Sequence, residues 1–185
     1  VYRRHTNFSM ETIEQTINGT PAPSGNSTVT ISRNGDLVHK VYVTSDANDI
    51  TDGSTGLVDE VELEIGGQRI DRHYSEWMNT WNELSTDESK AIGLKSMQGS
   101  IGTSDGTTGV GLVQVPLQFW FCRNPGLALP LIALQYHEVK IKVKWGSDGS
   151  SSCKVNCDYI YLDTDERRRF AQVSHEYLIE QLQRQ

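Results

Sequence analysis

The sequence predicts an all-β fold, a β-sandwich of the jelly-roll type with short helices in its loops. Many short stretches have strand composition, and long connections rich in Gly, Pro and Ser separate them. No internal repeat of fixed period interrupts this order. The chain has 185 residues, enough for one domain with a substantial core. We therefore expect residues 1–185 to form a single domain.

Six stretches have the composition of strands, namely 27–32, 37–44, 61–65, 112–121, 139–145 and 155–162. In 139–145, Val, Ile and Trp alternate with three lysines, which predicts one buried and one solvated face. Pro116 places its stretch at an edge, a bulge or a strand end. The dipeptide Asn34-Gly35 lies between the first two stretches and favours a β-hairpin there.

Helices are expected mainly at 73–84, where Tyr74, Trp77, Met78 and Trp81 form one apolar stripe. Asp71 is a candidate cap for this helix. Shorter helices are predicted at 165–172 and 174–183, the second with an apolar side formed by Leu178, Ile179 and Leu182. The segments 18–26, 45–56 and 99–111 are predicted to be surface loops because they are polar or rich in Gly.

The sequence contains no complete catalytic or metal-binding signature. The stretch 102–106 matches the nucleophile elbow G-x-S-x-G, but the residues after it cannot open a helix. The acidic stretch 46–52 fails the calcium-loop pattern at Ile50 and Thr51, which leaves at most a weak surface cation site. The five histidines are scattered. We predict no catalytic residue, no cofactor and no metal ligand.

The net charge and the cysteine content of the chain limit which partners and which cellular compartment we expect for it. A net charge of −7 argues against coating nucleic acid, so no direct nucleic-acid contact is expected. Cys122, Cys153 and Cys157 are too few for a disulfide framework and favour a reducing compartment. On a straight strand, Cys153 and Cys157 would lie roughly 13 Å apart, beyond bridging distance.

Three Asn-x-Ser/Thr sequons begin at Asn7, Asn18 and Asn26. They are possible glycosylation sites, although chance matches in a polar loop are the favoured reading because the motif is short.

Several runs resemble one family in the same order along the chain: 2–8, 65–71, 77–84, 115–130, 158–168 and 175–181. The longest continuous match is FWFCRNPGLALPLIALQYHEV, which begins at Phe119. These runs resemble the first half of the major capsid proteins of nucleocytoplasmic large DNA viruses, such as phycodnaviruses, iridoviruses and mimivirus relatives.

The resemblance implies a double jelly roll, in which this chain is the N-terminal jelly roll and lacks the first strand and the second jelly roll. It also implies a structural protein rather than an enzyme. Three such chains would form a homotrimeric, pseudo-hexagonal capsomer of an icosahedral shell, made in the host cytoplasm. The resemblance also implies that the capsomer contacts neighbouring capsomers and minor capsid proteins, with an internal membrane nearby.

Candidate subunit contacts are Arg167, Arg168, Arg169, Trp77 and Trp81, although the tryptophans could equally belong to the core. Two alternatives stay open. A lectin-like carbohydrate-binding jelly roll would present aromatic side chains on an open face, and a minor capsid protein would share most of these features. A jelly-roll enzyme would need a His/Glu metal cluster, which the sequence lacks.

Overall fold

The computed structural model describes residues 6–46, 56–99 and 112–184. Its elements, in chain order, are β1 (Phe8–Gln15), β2 (Ile17–Asn18), β3 (Asn26–Thr30), β4 (Leu37–Ser45), β5 (Val58–Ile65), β6 (Gln68–Tyr74), α1 (Ser75–Ser85), α2 (Glu88–Met97), β7 (Val113–Pro116), α3 (Trp120–Arg123), a 3₁₀ turn (Pro125–Leu127), β8 (Leu129–Pro130), β9 (Val139–Trp145), β10 (Lys154–Leu162) and α4 (Thr164–Gln172). The longest helix has 11 residues, so none of the helices in these ranges can span a bilayer.

The strands form two antiparallel sheets. The first has the order β1-β10-β4-β7, with β8 also paired to β4, and the second has the order β2-β3-β9-β5-β6. The chain passes repeatedly from one sheet to the other, so that its last strand, β10, pairs with its first. This arrangement confirms the predicted jelly-roll sandwich.

The core lies between the facing sides of the two sheets. Val41 and Val43 project from the first sheet, and Leu63, Ile141 and Trp145 from the second, and each of these side chains is almost wholly buried. The alternation predicted for 139–145 is confirmed, because its apolar residues are buried while its lysines face outward. The indole nitrogen of Trp145 donates to the hydroxyl of Ser27 at 2.9 Å, which satisfies its one polar atom inside the core.

The hairpin predicted at Asn34-Gly35 is wrong, because β3 and β4 belong to different sheets. Gly35 lies against the ring of Tyr159, where a Cβ atom would come within 2.8 Å of the Tyr159 Cβ. The glycine is therefore needed for close approach, since it does not adopt the left-handed conformation of a hairpin turn. Arg33 fastens this crossing by donating to the carbonyl oxygens of Leu134, Gln135 and His137.

A two-residue hairpin instead joins β5 and β6. Gly66 and Gly67 have φ values of +60° and +82°, which suit a type I′ turn. Ile65 and Gln68 pair directly across it. Gly-Gly after an alternating strand was therefore the hairpin signal in this chain.

Several helix predictions require correction. The helix α1 begins at Ser75 without a side-chain cap, and Asp71 lies within β6. The stretch 112–121 is a strand only as far as Pro116, at the edge of the first sheet, and α3 follows it. The helix α2 was not predicted, whereas α4 confirms the helix expected at 165–172. Residues 174–183 contain no helix. The elbow-like stretch 102–106 and most of the acidic stretch 46–52 lie outside the described residues.

Candidate assembly surfaces

Trp77 and Trp81 lie one turn apart on α1 and stack with their ring centroids 5.7 Å apart. The guanidinium carbon of Arg123 lies 4.1 Å from the ring centroid of Trp81 and 5.8 Å from that of Trp77. Arg123 is held there by the carbonyl oxygen of Gln118 at 3.2 Å and by Glu180 at 2.6 Å. A cation fixed over an aromatic face is stabilised by the ring quadrupole, so the cluster is a joint between α1, α3 and the C-terminal segment.

A buried contact between His73 and Asp71 lies next to this cluster. The ring of His73 packs between those of Trp77 and Phe119, at centroid distances of 4.2 and 4.7 Å. Its Nε2 atom lies 2.7 Å from Oδ2 of Asp71, and both side chains are 1% exposed. The other oxygen of Asp71 accepts the backbone N–H groups of Arg72 at 2.9 Å and Leu182 at 3.0 Å.

These contacts set the ionisation of Asp71. Burial alone would raise the pKa of this carboxyl, but the hydrogen bond and charge of His73 and the two backbone N–H groups lower it below its usual value. Asp71 therefore acts as a charged anchor inside the fold. Its partners are His73 on its own strand and Leu182 near the end of the chain.

Residues 173–184, called the C-terminal strap below, follow α4 without forming a strand or the predicted helix. Gln181 donates to the carbonyl oxygen of Ile70, and Arg184 lies 4.6 Å from the ring centroid of Tyr74. Long-range partners of this kind compete with the local hydrogen bonds of a helix. Leu178, expected on the apolar side of that helix, is 83% exposed.

The cluster geometry shows which parts of Trp77 and Trp81 are already in contact within the chain, and this affects their candidate roles in subunit contacts or sugar binding. Trp77 and Trp81 are half-buried and contact α3 through Arg123, which itself binds the C-terminal strap. Arg123 covers a face of the Trp81 ring and also lies within reach of the Trp77 ring beside it. A sugar that stacked on that face of Trp81, as in a lectin, would have to displace this cation.

The three consecutive arginines at 167–169 have different surroundings in the structure. The guanidinium of Arg167 bonds both carboxylate oxygens of Asp36, at 3.0 and 3.1 Å, and the Asp36 side chain is only 8% exposed. Asp36 also accepts the backbone N–H of Leu162 at 2.8 Å. Arg168 and Arg169 are exposed, and Arg169 makes one pair within its own helix, with Glu166. Arg167 therefore stabilises the fold, while its two neighbours face outward.

The outer face of the second sheet is a ladder of cross-strand ion pairs. Arg72 lies 2.7 Å from Glu62 and 3.0 Å from Glu60, and Lys142 pairs with Glu62 and Glu64. Burial tends to raise the pKa of Glu62, but its hydrogen bond from Arg72 and the surrounding cations lower it. The ladder neutralises its own charges, so this face offers little net charge to a partner.

No group of three potential metal ligands occurs in the ranges 6–46, 56–99 and 112–184. Cys122, Cys153 and Cys157 are free and buried. Sequence reasoning did not identify Arg123, Asp36 or Glu180 as structural residues. Their importance depends on partners about 57 to about 131 residues away, which no local pattern shows.

The family model described as "Major capsid protein N-terminus" matches residues 1–163. The chain belongs to the major capsid protein family. It is 55% identical to the major capsid protein of Pyramimonas orientalis virus, with 99% of this chain and 52% of that protein covered. It is 44% identical to the major capsid protein of Paramecium bursaria Chlorella virus 1, with 99% and 46% covered. The chain thus spans about half the length of these relatives.

Solved structures agree with this membership in the major capsid protein family. The chain superposes on a subunit of the quasi-atomic PBCV-1 virus capsid model with a TM-score of 0.87 and 44% identity, covering 99% of this chain and 49% of that one. It also matches the Faustovirus major capsid protein with a TM-score of 0.70. At 12% identity, that second likeness shows the fold alone.

All three sequon asparagines are exposed in the structure. Asn7 precedes β1, Asn18 ends β2, and Asn26 begins β3. Residues 19–25 form the loop between the last two, in agreement with the predicted surface loop. Exposure is a requirement for glycosylation, and modification at these positions stays a prediction.

Proposed function

We propose that this chain is the N-terminal jelly roll of a structural shell protein, whose full-length form builds trimeric, pseudo-hexagonal capsomers of an icosahedral virion. The single observation that carries the proposal is the match to the PBCV-1 capsid model over 99% of this chain and 49% of that one. A protein of two such sandwiches places six sandwiches in a trimer, and this number produces the near-hexagonal outline.

Rigidity is the property that a shell subunit needs, and the described residues provide it. The two sheets enclose one continuous core, and the strap is tied back to β6 and α3 through Asp71 and Arg123. Arg33 and Asp36 fasten the connection between β3 and β4.

We propose that Arg168 and Arg169 take part in those contacts, because both project from α4 into solvent. Trp77 and Trp81 would contribute at the exposed edges of their rings. Neighbouring capsomers and minor capsid proteins are the proposed partners, near an internal membrane. We do not expect direct nucleic-acid contact because the net charge is −7. Synthesis in the host cytoplasm accords with three free cysteines.

The test is light scattering after size exclusion on the longest natural chain that contains this sequence. A stable trimer is expected, and we expect the double variant R168E/R169E to shift it toward monomer without lowering its thermal stability. The matched control is K154E, since Lys154 is an equally exposed cation on a different part of the surface. A monomer that binds a glycan array would contradict the shell role and support a lectin.

A further inference from the structure

A cleft of about 600 Å³ lies between the outward side of β4 and the pair α1–α2. Its polar lining includes Lys40 and Tyr42 from β4, Asn82 from α1 and Lys90 from α2. Arg123 closes one end of the cleft, where it is already fixed against Trp81. Apolar side chains of α2 and the start of the segment after β7 complete the walls. This volume is within the usual range for ligand sites.

The charge of the cleft differs from that of the chain. Of the seven lysines in the sequence, five form ion pairs with carboxylates: Lys95, Lys140, Lys142, Lys144 and Lys154. In the part of the chain that the structure describes, Lys40 and Lys90 make no such pair, and both line this cleft. They oppose one lining carboxylate, that of Asp87, whereas the charge of Arg123 is paired with Glu180.

The floor of the cleft offers groups that pair with a peptide backbone. Gln118 donates through its side-chain nitrogen to the Asn82 oxygen at 3.2 Å, and Asn82 is 8% exposed. This contact orients both amides. The remaining donor of Asn82 and the acceptor of Gln118 match the C=O and N–H of an extended chain.

We propose that this cleft binds an acidic, extended peptide segment of a neighbouring protein, with carboxylates at Lys40 and Lys90 and an apolar side chain between them. The inference deepens the proposed shell function, on which it rests, by naming the chemistry of one partner. Two unpaired lysines against one lining carboxylate, within a chain of net charge −7, favour a short anionic segment.

A nucleic acid suits the site less well. A polyanion longer than the cleft would extend beyond the two unpaired lysines and be repelled by a chain of net charge −7. A sugar would have to displace Arg123 in order to stack on the face of Trp81 that this cation covers. The short acidic segment is therefore the occupant that the charges and the covered ring favour.

The experiment uses the full-length natural chain and two fluorescein-labelled probes. One is a pentapeptide of four glutamates around a central phenylalanine, and the other is an oligothymidylate of equal charge. We expect saturable peptide binding by fluorescence polarisation, with Kd raised about tenfold in K40Q/K90Q, as for the loss of two partly exposed ion pairs. The control K95Q alters the third lysine of the same region, which already pairs with Glu83, and should change Kd by less than about twofold.

Three results would overturn the proposal: no peptide binding up to about 1 mM, an unchanged Kd in K40Q/K90Q, or equal binding of the oligothymidylate. Light scattering on the same samples separates this inference from the shell role. A trimer that does not bind the peptide would refute peptide binding by the cleft but would agree with the proposed capsomer. A monomer that binds the peptide would refute the proposed trimeric capsomer but would agree with peptide binding by the cleft.

Discussion

Replacing Arg167 by alanine removes the guanidinium that bonds both carboxylate oxygens of Asp36. The Asp36 side chain is 8% exposed and keeps only the backbone N–H of Leu162 among the partners described above, whereas Arg167 is 54% exposed. Loss of a partner from a buried pair costs about 3–5 kcal/mol, and from an exposed pair about 0.2–1 kcal/mol. This pair is intermediate, so we expect R167A to lower the free energy of unfolding by about 2 kcal/mol.

The neighbouring arginines supply matched controls on the same helix. Arg168 and Arg169 are exposed, so R168A and R169A should each change the free energy of unfolding by less than about 0.5 kcal/mol. The assay is urea denaturation of the three variants followed by tryptophan fluorescence, with thermal melting as a check. A loss of about 2 kcal/mol corresponds to roughly 4–8 °C in Tm for a domain of this size. If R167A matched R168A within error, the structural role given to the Arg167–Asp36 pair would be refuted.

Three further predictions test other parts of the fold. The pKa of Asp71 is lowered in the folded state, so its charge stabilises the protein above about pH 4, and this stabilisation is lost as the pH falls through the folded pKa. Urea denaturation at several acidic pH values should therefore show that the free energy of unfolding falls less steeply with pH in D71N than in the unaltered chain. Burial raises the pKa of the Cys122 thiol to about 12, and all three thiols are buried, so a thiol reagent should label none of them in the native protein and all three in denaturant. A Cβ at Gly35 would lie 2.8 Å from that of Tyr159, so thermal melting should show G35A destabilised by about 1–3 kcal/mol. The control is G93A in α2, where a Cβ would meet open space, and this variant should be neutral or stabilised by up to about 1 kcal/mol.

Alternation predicted β9 well because this strand buries one face and exposes the other. The stretch 139–145 coincides with β9, and 37–44 differs from β4 by one residue. The strands β1, β2, β6 and β8 were not predicted. The sequence of β6, QRIDRHY, contains charged residues whose partners lie on β5 and in the strap. A local pattern does not reveal such partners.

The hairpin and strap errors have a common physical cause. Asn34-Gly35 has the composition of a tight turn, yet the packing of Tyr159 and the bonds of Arg33 direct the chain to the other sheet. Residues 174–183 have a helical pattern, but Gln181 and Leu182 bond to β6 and Glu180 bonds to Arg123. In both places tertiary contacts outweigh local propensity. The family resemblance was visible in the sequence because its runs are long and contiguous, whereas the residues of the aromatic–arginine cluster meet only in the fold.

Electron microscopy of the full-length natural chain tests the central claim most directly. The account predicts particles of near-hexagonal outline with threefold symmetry, and a reconstruction into which three copies of this sandwich fit, with the Arg168 and Arg169 faces of α4 at contacts between sandwiches. Isolated single subunits, or an assembly in which those faces stay in solvent and the copies lack threefold symmetry, would contradict it.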